Sequence, residues 1–201
     1  MSKYLRIFVA GCVAVFMMSL FAGSAFANRS LTVNRTAFRA TSRAVVFAGS
    51  ELNTTCEVTL NGATTVTAVQ KSAGAALGVI TEGKVSFCRG SIPRAVFLFT
   101  VANPIRLSYA SFTGTLPRIT AVGVMASNVA LEVQETVFGN CLYRGDAQAW
   151  TLRDTGGRQE LNQMEFVNAP ARLFRGGIFC PATSTITGTL ALTPSLRIGL
   201  I

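Results

Sequence analysis

The chain has 201 residues, of which 50% are hydrophobic and 13% are charged, and its formal net charge at pH 7 is +9. It contains no histidine, which excludes imidazole acid–base catalysis, nucleophiles activated by histidine, and histidine metal sites. Its length suits one ordinary domain with a sizeable core.

The N-terminal segment 1–27 has the pattern of a secretory signal peptide. Lys3 and Arg6 supply the positive start, and an apolar run follows at 7–21. A small-x-small cleavage motif stands at 25–27. The run is shorter than the roughly 20 residues that a spanning helix needs. We therefore expect cleavage, an extracytoplasmic or secreted protein, and no stable transmembrane anchor.

Lipidation is the alternative fate of the N-terminus. The segment Val9-Ala10-Gly11-Cys12 resembles a bacterial lipobox, in which the cysteine is lipid-modified. Only Ile7 and Phe8 lie between Arg6 and this motif, whereas a signal peptide needs about 7 to 15 apolar residues there. We favour cleavage after residue 27, which leaves 28–201 as a single β-domain.

A local concentration of basic side chains opens the mature chain, at Arg29, Arg35, Arg39 and Arg43. The segment lacks the interleaved aromatic residues of a single-strand binder, so we do not expect a nucleic-acid partner. An anionic component of the cell envelope suits these arginines better. A solvated basic surface with no specific partner is the alternative.

Four cysteines remain once the signal is removed: Cys56, Cys88, Cys141 and Cys180. An even number in an oxidising compartment predicts two disulfides, for which three pairings are possible. We favour Cys56 with Cys88 and Cys141 with Cys180, because sequence neighbours in β-domains often lie on paired strands. No C-x-x-C pair and no histidine are present, so neither a metal nor another cofactor is predicted.

The mature sequence alternates apolar and polar residues with a period of two. Cys56, Val58 and Leu60 share one face of such a segment, as in a strand with one buried face. The same pattern recurs at 105–109, 131–137, 150–153 and 185–192. The continuous apolar run at 95–101 predicts a strand buried on both faces.

Turn signals separate these segments, among them 61–62, 154–157 and 193–194. The segment 147–167 is typical of a hairpin that turns at 154–157. No sustained amphipathic helical period occurs. The sequence therefore predicts an all-β fold, either an antiparallel β-sandwich or a Greek-key barrel, with two disulfides.

Paired carboxylates are the chemistry that remains for an enzyme without histidine. A glycoside hydrolase would use one of three pairs: Glu132 with Glu135, Glu160 with Glu165, or Asp146 with Asp154. Odd spacing places the two glutamate pairs on opposite faces of a strand. We predict no catalytic residue and keep a glycoside hydrolase as an alternative. A small outer-membrane barrel is another, although the chain ends in Ile rather than an aromatic residue.

Motifs in both halves resemble a known family. They are Thr55-Cys56-Glu57-Val58-Thr59-Leu60-Asn61-Gly62, Gly176-Gly177-Ile178-Phe179-Cys180 and Ile186-Thr187-Gly188-Thr189-Leu190. Together they resemble small exported bacterial proteins termed activators of alkane oxidation. The Leu-Pro-Trp element of that family is replaced here by Ile92-Pro93-Arg94. The resemblance implies an extracellular, non-catalytic β-protein associated with cell-surface or filament assemblies.

These observations predict a structural or binding protein of the cell envelope without catalytic activity. Self-association would use an exposed strand edge, at 30–38 or at 195–201. Binding of an envelope polymer is an alternative. Binding of an apolar ligand is another, and it requires an internal cavity lined by residues such as Phe97, Phe99, Tyr109 and Trp150.

Overall fold

The computed structural model describes residues 30–33, 37–50, 53–91, 94–115, 118–135, 139–178 and 180–200. The predicted signal peptide lies outside these residues, as do Arg29 and Arg35. The described part of the chain forms strands and no helix. The strands are β1 (Leu31–Val33), β2 (Ala37–Gly49), β3 (Asn53–Thr64), β4 (Ala68–Val69), β5 (Ala76–Gly90), β6 (Arg94–Phe97), β7 (Ile105–Thr113), β8 (Ala121–Ser127), β9 (Val129–Glu135), β10 (Gly139–Gly145), β11 (Gln148–Arg153), β12 (Glu160–Arg175) and β13 (Thr183–Leu200).

The sheet closes on itself as a barrel. Its wall follows the order β2-β3-β5-β7-β8-β11-β12-β13, and each strand pairs antiparallel with the next. The ring is completed because β13 also pairs with β2. Closure gives each wall strand a partner on both sides for at least part of its length, and among the described residues the part of β5 after Ile80 pairs only with β3.

Three shorter strands continue the wall toward one end. β9 follows β8 after Asn128, whose φ is +64°, and pairs with β6 on one side and β10 on the other. β10 in turn pairs with the C-terminal part of β12. At the opposite end, β1 and β4 extend the sheet beyond the C-terminal part of β13.

The predictions of an all-β antiparallel fold and two disulfides are confirmed. Of the two architectures expected, the structure has the barrel, and its strands are connected as next neighbours rather than in a Greek-key order. Alternating side chains could not distinguish these connections, because both place apolar residues on one face of each strand.

A single apolar core fills the barrel. Cys56, Val58 and Leu60 are buried together on β3, as predicted, and Trp150 is also buried. Burial raises the pKa of Tyr109, which lies in the same core. Side chains of an eight-stranded barrel are just large enough to fill its interior.

Bulges shift the alternation within the longest strands. β2 has one more residue than β3 between the pairs Ser42–Val58 and Val45–Cys56. As a result, the inward positions change from Phe38 and Ala40 to Val45 and Phe47. After an extra residue of this kind, the side chains that face inward come from odd-numbered instead of even-numbered positions.

Several sequence-based details were wrong. The apolar run at 95–101 forms only the short strand β6, and Val101 in the loop that follows is 79% exposed. The turn signals at 61–62 and 193–194 lie inside β3 and β13. The two segments expected as edges pair with each other, since Leu31–Val33 joins β13 at Ile198, Gly199 and Leu200. The hairpin turning at 154–157 is confirmed by the pairing of β11 with β12.

Among the described residues, no helix is both long and apolar enough to cross a membrane.

Candidate anion-binding site

Two disulfides join the predicted cysteines, Cys56 to Cys88 and Cys141 to Cys180. Their Cα atoms are 4.0 Å and 5.7 Å apart, respectively. The favoured pairing is therefore confirmed. Both bridges lie at the same end of the barrel, because strand starts and strand ends alternate around an up-and-down ring.

The predicted arginine cluster is only partly described. Arg39 and Arg43 lie on β2 with exposed side chains, and Arg29 and Arg35 fall outside the described residues. Arg43 belongs to the bulge of β2, whereas Arg39 stands opposite Asn61 in regular pairing. Four positions along a strand separate the two by more than about 10 Å. The two described members of the predicted cluster therefore do not form one binding site.

Three of the candidate catalytic carboxylates, Glu132, Glu160 and Glu165, accept hydrogen bonds from neighbouring side chains, and the side chain of Glu135 lies outside the part of the chain that the structure describes. Glu160 accepts hydrogen bonds from Arg197 Nε at 2.8 Å and Ser195 Oγ at 3.0 Å. The bond from Arg197, followed by that from Ser195, lowers the pKa of Glu160. Glu165 accepts from Arg153 Nε, and Glu132 accepts from Asn140 Nδ2 at 2.9 Å.

Two aspartates stand at opposite ends of β11. Asp154 accepts backbone N–H groups from Gly156 at 2.9 Å and Gln159 at 2.7 Å. Asp146 precedes the strand. About 20 Å of extended chain lies between them, so this pair does not converge on one cleft.

The cavity found in the core is too small for an apolar ligand, which the sequence left open as an alternative. Its volume is about 20 Å³, and it is lined at the β1 end of the barrel by side chains such as Leu31, Phe38 and Met164. That is room for about one water molecule. Phe97 and Phe99 pack against each other with ring centroids 5.2 Å apart, and Trp150 packs against Phe166.

A larger depression lies on the outer surface where β10 ends beside β12. Its volume is about 480 Å³. We refer to it as the arginine depression, and its lining residues are Arg144, Gly145, Asp146, Ala147, Pro170, Arg172, Leu173 and Phe174. The lining combines two cations, one carboxylate and several apolar side chains.

The two cations of the arginine depression stand directly opposite each other. Arg144 of β10 pairs with Arg172 of β12 in the antiparallel register, and both side chains are exposed. Side chains at directly opposite positions extend from backbones about 5 Å apart. Like charges at such positions destabilise the pairing of the two strands. An anion bound between them would relieve this repulsion.

A bulge brings an aromatic ring to the same place. β12 has one more residue than β10 between Leu173 and Arg175, and that residue is Phe174. Phe174 is 58% exposed, and the guanidinium carbon of Arg144 lies 3.6 Å from the centroid of its ring. Stacking of this kind holds the planar guanidinium in one orientation while its edges remain able to donate hydrogen bonds.

Buried polar contacts support the floor of the arginine depression. The side chain of Gln148 is fully buried and donates from Nε2 to the backbone oxygen of Pro170 at 2.8 Å. Its Oε1 accepts from Trp150 Nε1 at 3.1 Å. Gly145 lies directly over Gln148, and a Cβ atom at this glycine would overlap the amide group. The hydrogen bonds of Gln148 and its contact with Gly145 thus fix the connection between β10 and β11.

Within the part of the chain that the structure describes, no carboxylate forms an ion pair with either arginine of the depression. The ion pairs found among the described residues are Arg153–Glu165 and Arg197–Glu160. Asp146 lines the same depression, but the ion pairs of the described residues include none between Asp146 and Arg144 or Arg172. Both cations therefore remain available to an external anion.

Sequence reasoning missed this site. Residues 144–146 carry a turn signal, and 170–175 contain two arginines around an aromatic residue, but nothing local indicates that these segments are adjacent. The partial signal was the density of arginine within 172–175.

Comparison with known protein families, with curated proteins and with solved structures finds no match for this chain. Within the described residues, no group of three or more Cys, Asp or Glu side chains is placed to hold a metal ion.

Proposed function

We propose that this protein is a non-catalytic binding protein of the extracytoplasmic space, which holds an anionic component of the cell envelope in the arginine depression. The observation that carries the proposal is the juxtaposition of Arg144 and Arg172, two exposed cations on adjacent strands that have no carboxylate partner among the described residues. The contact of Arg144 with the ring of Phe174 favours recognition of an anion, because a side chain that is already held in place loses less freedom on binding.

Two disulfides are consistent with an oxidising compartment. We propose that the pattern at 1–27 directs export and that it is cleaved to release the mature protein. Membership among the activators of alkane oxidation stays a prediction. The absence of catalytic activity is likewise part of the proposal, and it is supported by the hydrogen bonds that occupy Glu132, Glu160 and Glu165.

Retention on anionic polymers tests this proposal. The exported protein is applied to immobilised polygalacturonate, polyphosphate and uncharged dextran at rising salt concentration. We expect retention on at least one anionic polymer and none on dextran. The double variant Arg144→Gln/Arg172→Gln should elute at clearly lower salt, because each lost charge contact weakens salt-dependent binding.

The matched control is Arg106→Gln/Arg118→Gln, which removes the same charge from exposed positions on β7 and just before β8. It should elute close to the unmodified protein. Equal effects of the two double variants would show that net charge alone governs retention, and the proposed site would be rejected. Absence of retention on every anionic polymer would reject the function.

A further inference from the structure

We propose that the anion recognised in the arginine depression is the carboxylate of an acidic sugar, presented by a polysaccharide chain. This inference rests on the proposed function and specifies the chemistry of its ligand. It is drawn from three features of the depression that act on different parts of one sugar ring: the stacked arginine pair, the apolar lining and the single aspartate.

The arginine pair suits a carboxylate. The guanidinium of Arg144 lies over the ring of Phe174, with 3.6 Å between its central carbon and the ring centroid. A planar fork of N–H donors matches the two oxygens of a carboxylate in a bidentate contact. Arg172 stands opposite on the neighbouring strand, so a carboxylate between them can accept hydrogen bonds from both side chains.

The apolar lining suits the C–H face of a sugar ring. Ala147, Pro170 and Phe174 are exposed and line the depression, and Leu173 between them is half-buried. Apolar surface with a few directed polar groups is typical of small-ligand sites. A volume of about 480 Å³ falls in the usual range for such sites and accommodates one or two sugar rings.

Asp146 distinguishes a sugar from other anions. Its carboxylate lines the depression beside the two arginines, where it can accept hydrogen bonds from the hydroxyl groups of a sugar. A phosphate polymer has no such donors at each unit and would be repelled by this charge. An acidic peptide likewise offers carboxylates without neighbouring hydroxyl groups. The combination of two cations and one acceptor therefore favours a ligand that has both a carboxylate and hydroxyl groups.

Calorimetric titration of the exported protein tests this chemistry. The probes are trigalacturonate, tripolyphosphate, triglutamate and the uncharged trisaccharide maltotriose. We expect trigalacturonate to bind at least about tenfold more tightly than tripolyphosphate, although tripolyphosphate carries more charge, because only the sugar forms hydrogen bonds with Asp146. Maltotriose, which lacks a carboxylate, should show no measurable binding.

The variant Asp146→Ala gives opposite expectations for the two anions. Loss of the acceptor should weaken the binding of trigalacturonate by about fivefold or more, whereas loss of the negative charge should strengthen the binding of tripolyphosphate. Arg106→Gln, at an exposed position on β7 outside the depression, is the control and should change neither affinity by more than about twofold. Circular dichroism checks that each variant is folded.

The titrations distinguish failure of the acidic-sugar proposal from failure of the proposed anion-binding function. If tripolyphosphate or triglutamate binds as tightly as trigalacturonate, or if Asp146→Ala strengthens all anions alike, the acidic sugar is rejected while anion binding stands. If none of the three anions binds, the proposed function itself fails.

Discussion

Asp154 holds the turn between β11 and β12 by accepting backbone N–H groups from residues on the far side of the turn. Gly156 donates at 2.9 Å and Gln159 at 2.7 Å. Partial desolvation raises the pKa of this aspartate, but hydrogen bonds from four backbone N–H groups outweigh it, so the pKa lies below its ordinary value. Hydrogen bonding to the charged form has this effect in general.

The pKa of Asp154 is lower in the folded protein than in the unfolded chain. The ionised side chain therefore stabilises the fold at pH values above the pKa that this group has in the unfolded chain. This stabilisation is lost as the pH falls from the ordinary pKa of 3.8 through the lower folded pKa. We expect Asp154→Asn to lower the melting temperature at pH 7 more than at pH 3. Thermal unfolding followed by circular dichroism over this pH range measures the difference.

Asp146→Asn is the matched control, because Asp146 also borders β11 but holds no turn through the hydrogen bonds found among the described residues. Its effect on melting temperature should be small at both pH values. A loss of stability in Asp154→Asn that is equal at pH 7 and pH 3 would contradict the role assigned to its charge.

Arg144 and Arg172 illustrate how far single residues can be interpreted from sequence. Each is an ordinary surface arginine in its own segment, and 28 positions separate them in the chain. Their opposition follows from the register of β10 on β12, which no local pattern encodes. The cluster at the start of the mature chain was locally conspicuous, and yet its described members, Arg39 and Arg43, remain apart.

At the level of strands, the two disulfides fasten neighbouring elements at one end of the barrel. Cys56 and Cys88 link β3 to β5, and Cys141 and Cys180 link β10 to the connection between β12 and β13. The bridges join residues 32 and 39 positions apart in the chain. Closing loops of such similar length restricts the unfolded chain to a similar degree.

Replacing Cys56 and Cys88 together by alanine should lower the free energy of unfolding by about 3 to 4 kcal/mol, since the unfolded chain gains the entropy that the bridge removes. Replacing Cys141 and Cys180 should cost about the same. Urea denaturation of the oxidised proteins measures both losses, and the slope of the transition reports any change in the unfolded state.

Each double variant serves as the comparison for the other. A loss well below about 1 kcal/mol in either variant would mean that its bridge does not restrict the unfolded chain as the entropy argument requires.

Strand lengths also show where local signals mislead. Residues 61–62 carry a strong turn signal, but in β3 they mark a register shift against β5, between Asn61 and Gly62. Gly62 allows close approach there, because a Cβ atom would overlap the backbone oxygen of Val79 and the ring of Phe38. Glycine favours turns, bulges and close contacts alike, so the sequence alone could not distinguish a strand end from a bulge within a longer strand.

The strands of the barrel wall differ in how much of their length is hydrogen-bonded to neighbours on both sides. β13 pairs with β2 on one side and β12 on the other over most of its length. The later part of β5, from Thr81 onward, pairs only with β3, and β6 pairs only with β9 among the described residues. Phe97 and Phe99 cover Gly83 at this boundary, where a Cβ atom would meet both rings.

This difference predicts uneven opening of the barrel. Amides of β13 should exchange at least about tenfold more slowly than those of β6, because hydrogen bonds in a fully paired strand break only with larger unfolding. Hydrogen–deuterium exchange followed by mass spectrometry or NMR measures the rates. Equal rates in the two strands would show that the boundary between β5 and β6 is no weaker than the rest of the wall.

The sequence by itself determined the all-β class and the two disulfides, because side-chain alternation is a local property and the even number of cysteines is read directly. Only the tertiary structure decided that the strands close into a barrel in chain order, that both bridges lie at one end, and that Arg144 meets Arg172 beside Phe174. The physical reason is that strand register and bulges depend on contacts between distant segments. A shift of one residue there moves every following side chain to a different neighbour.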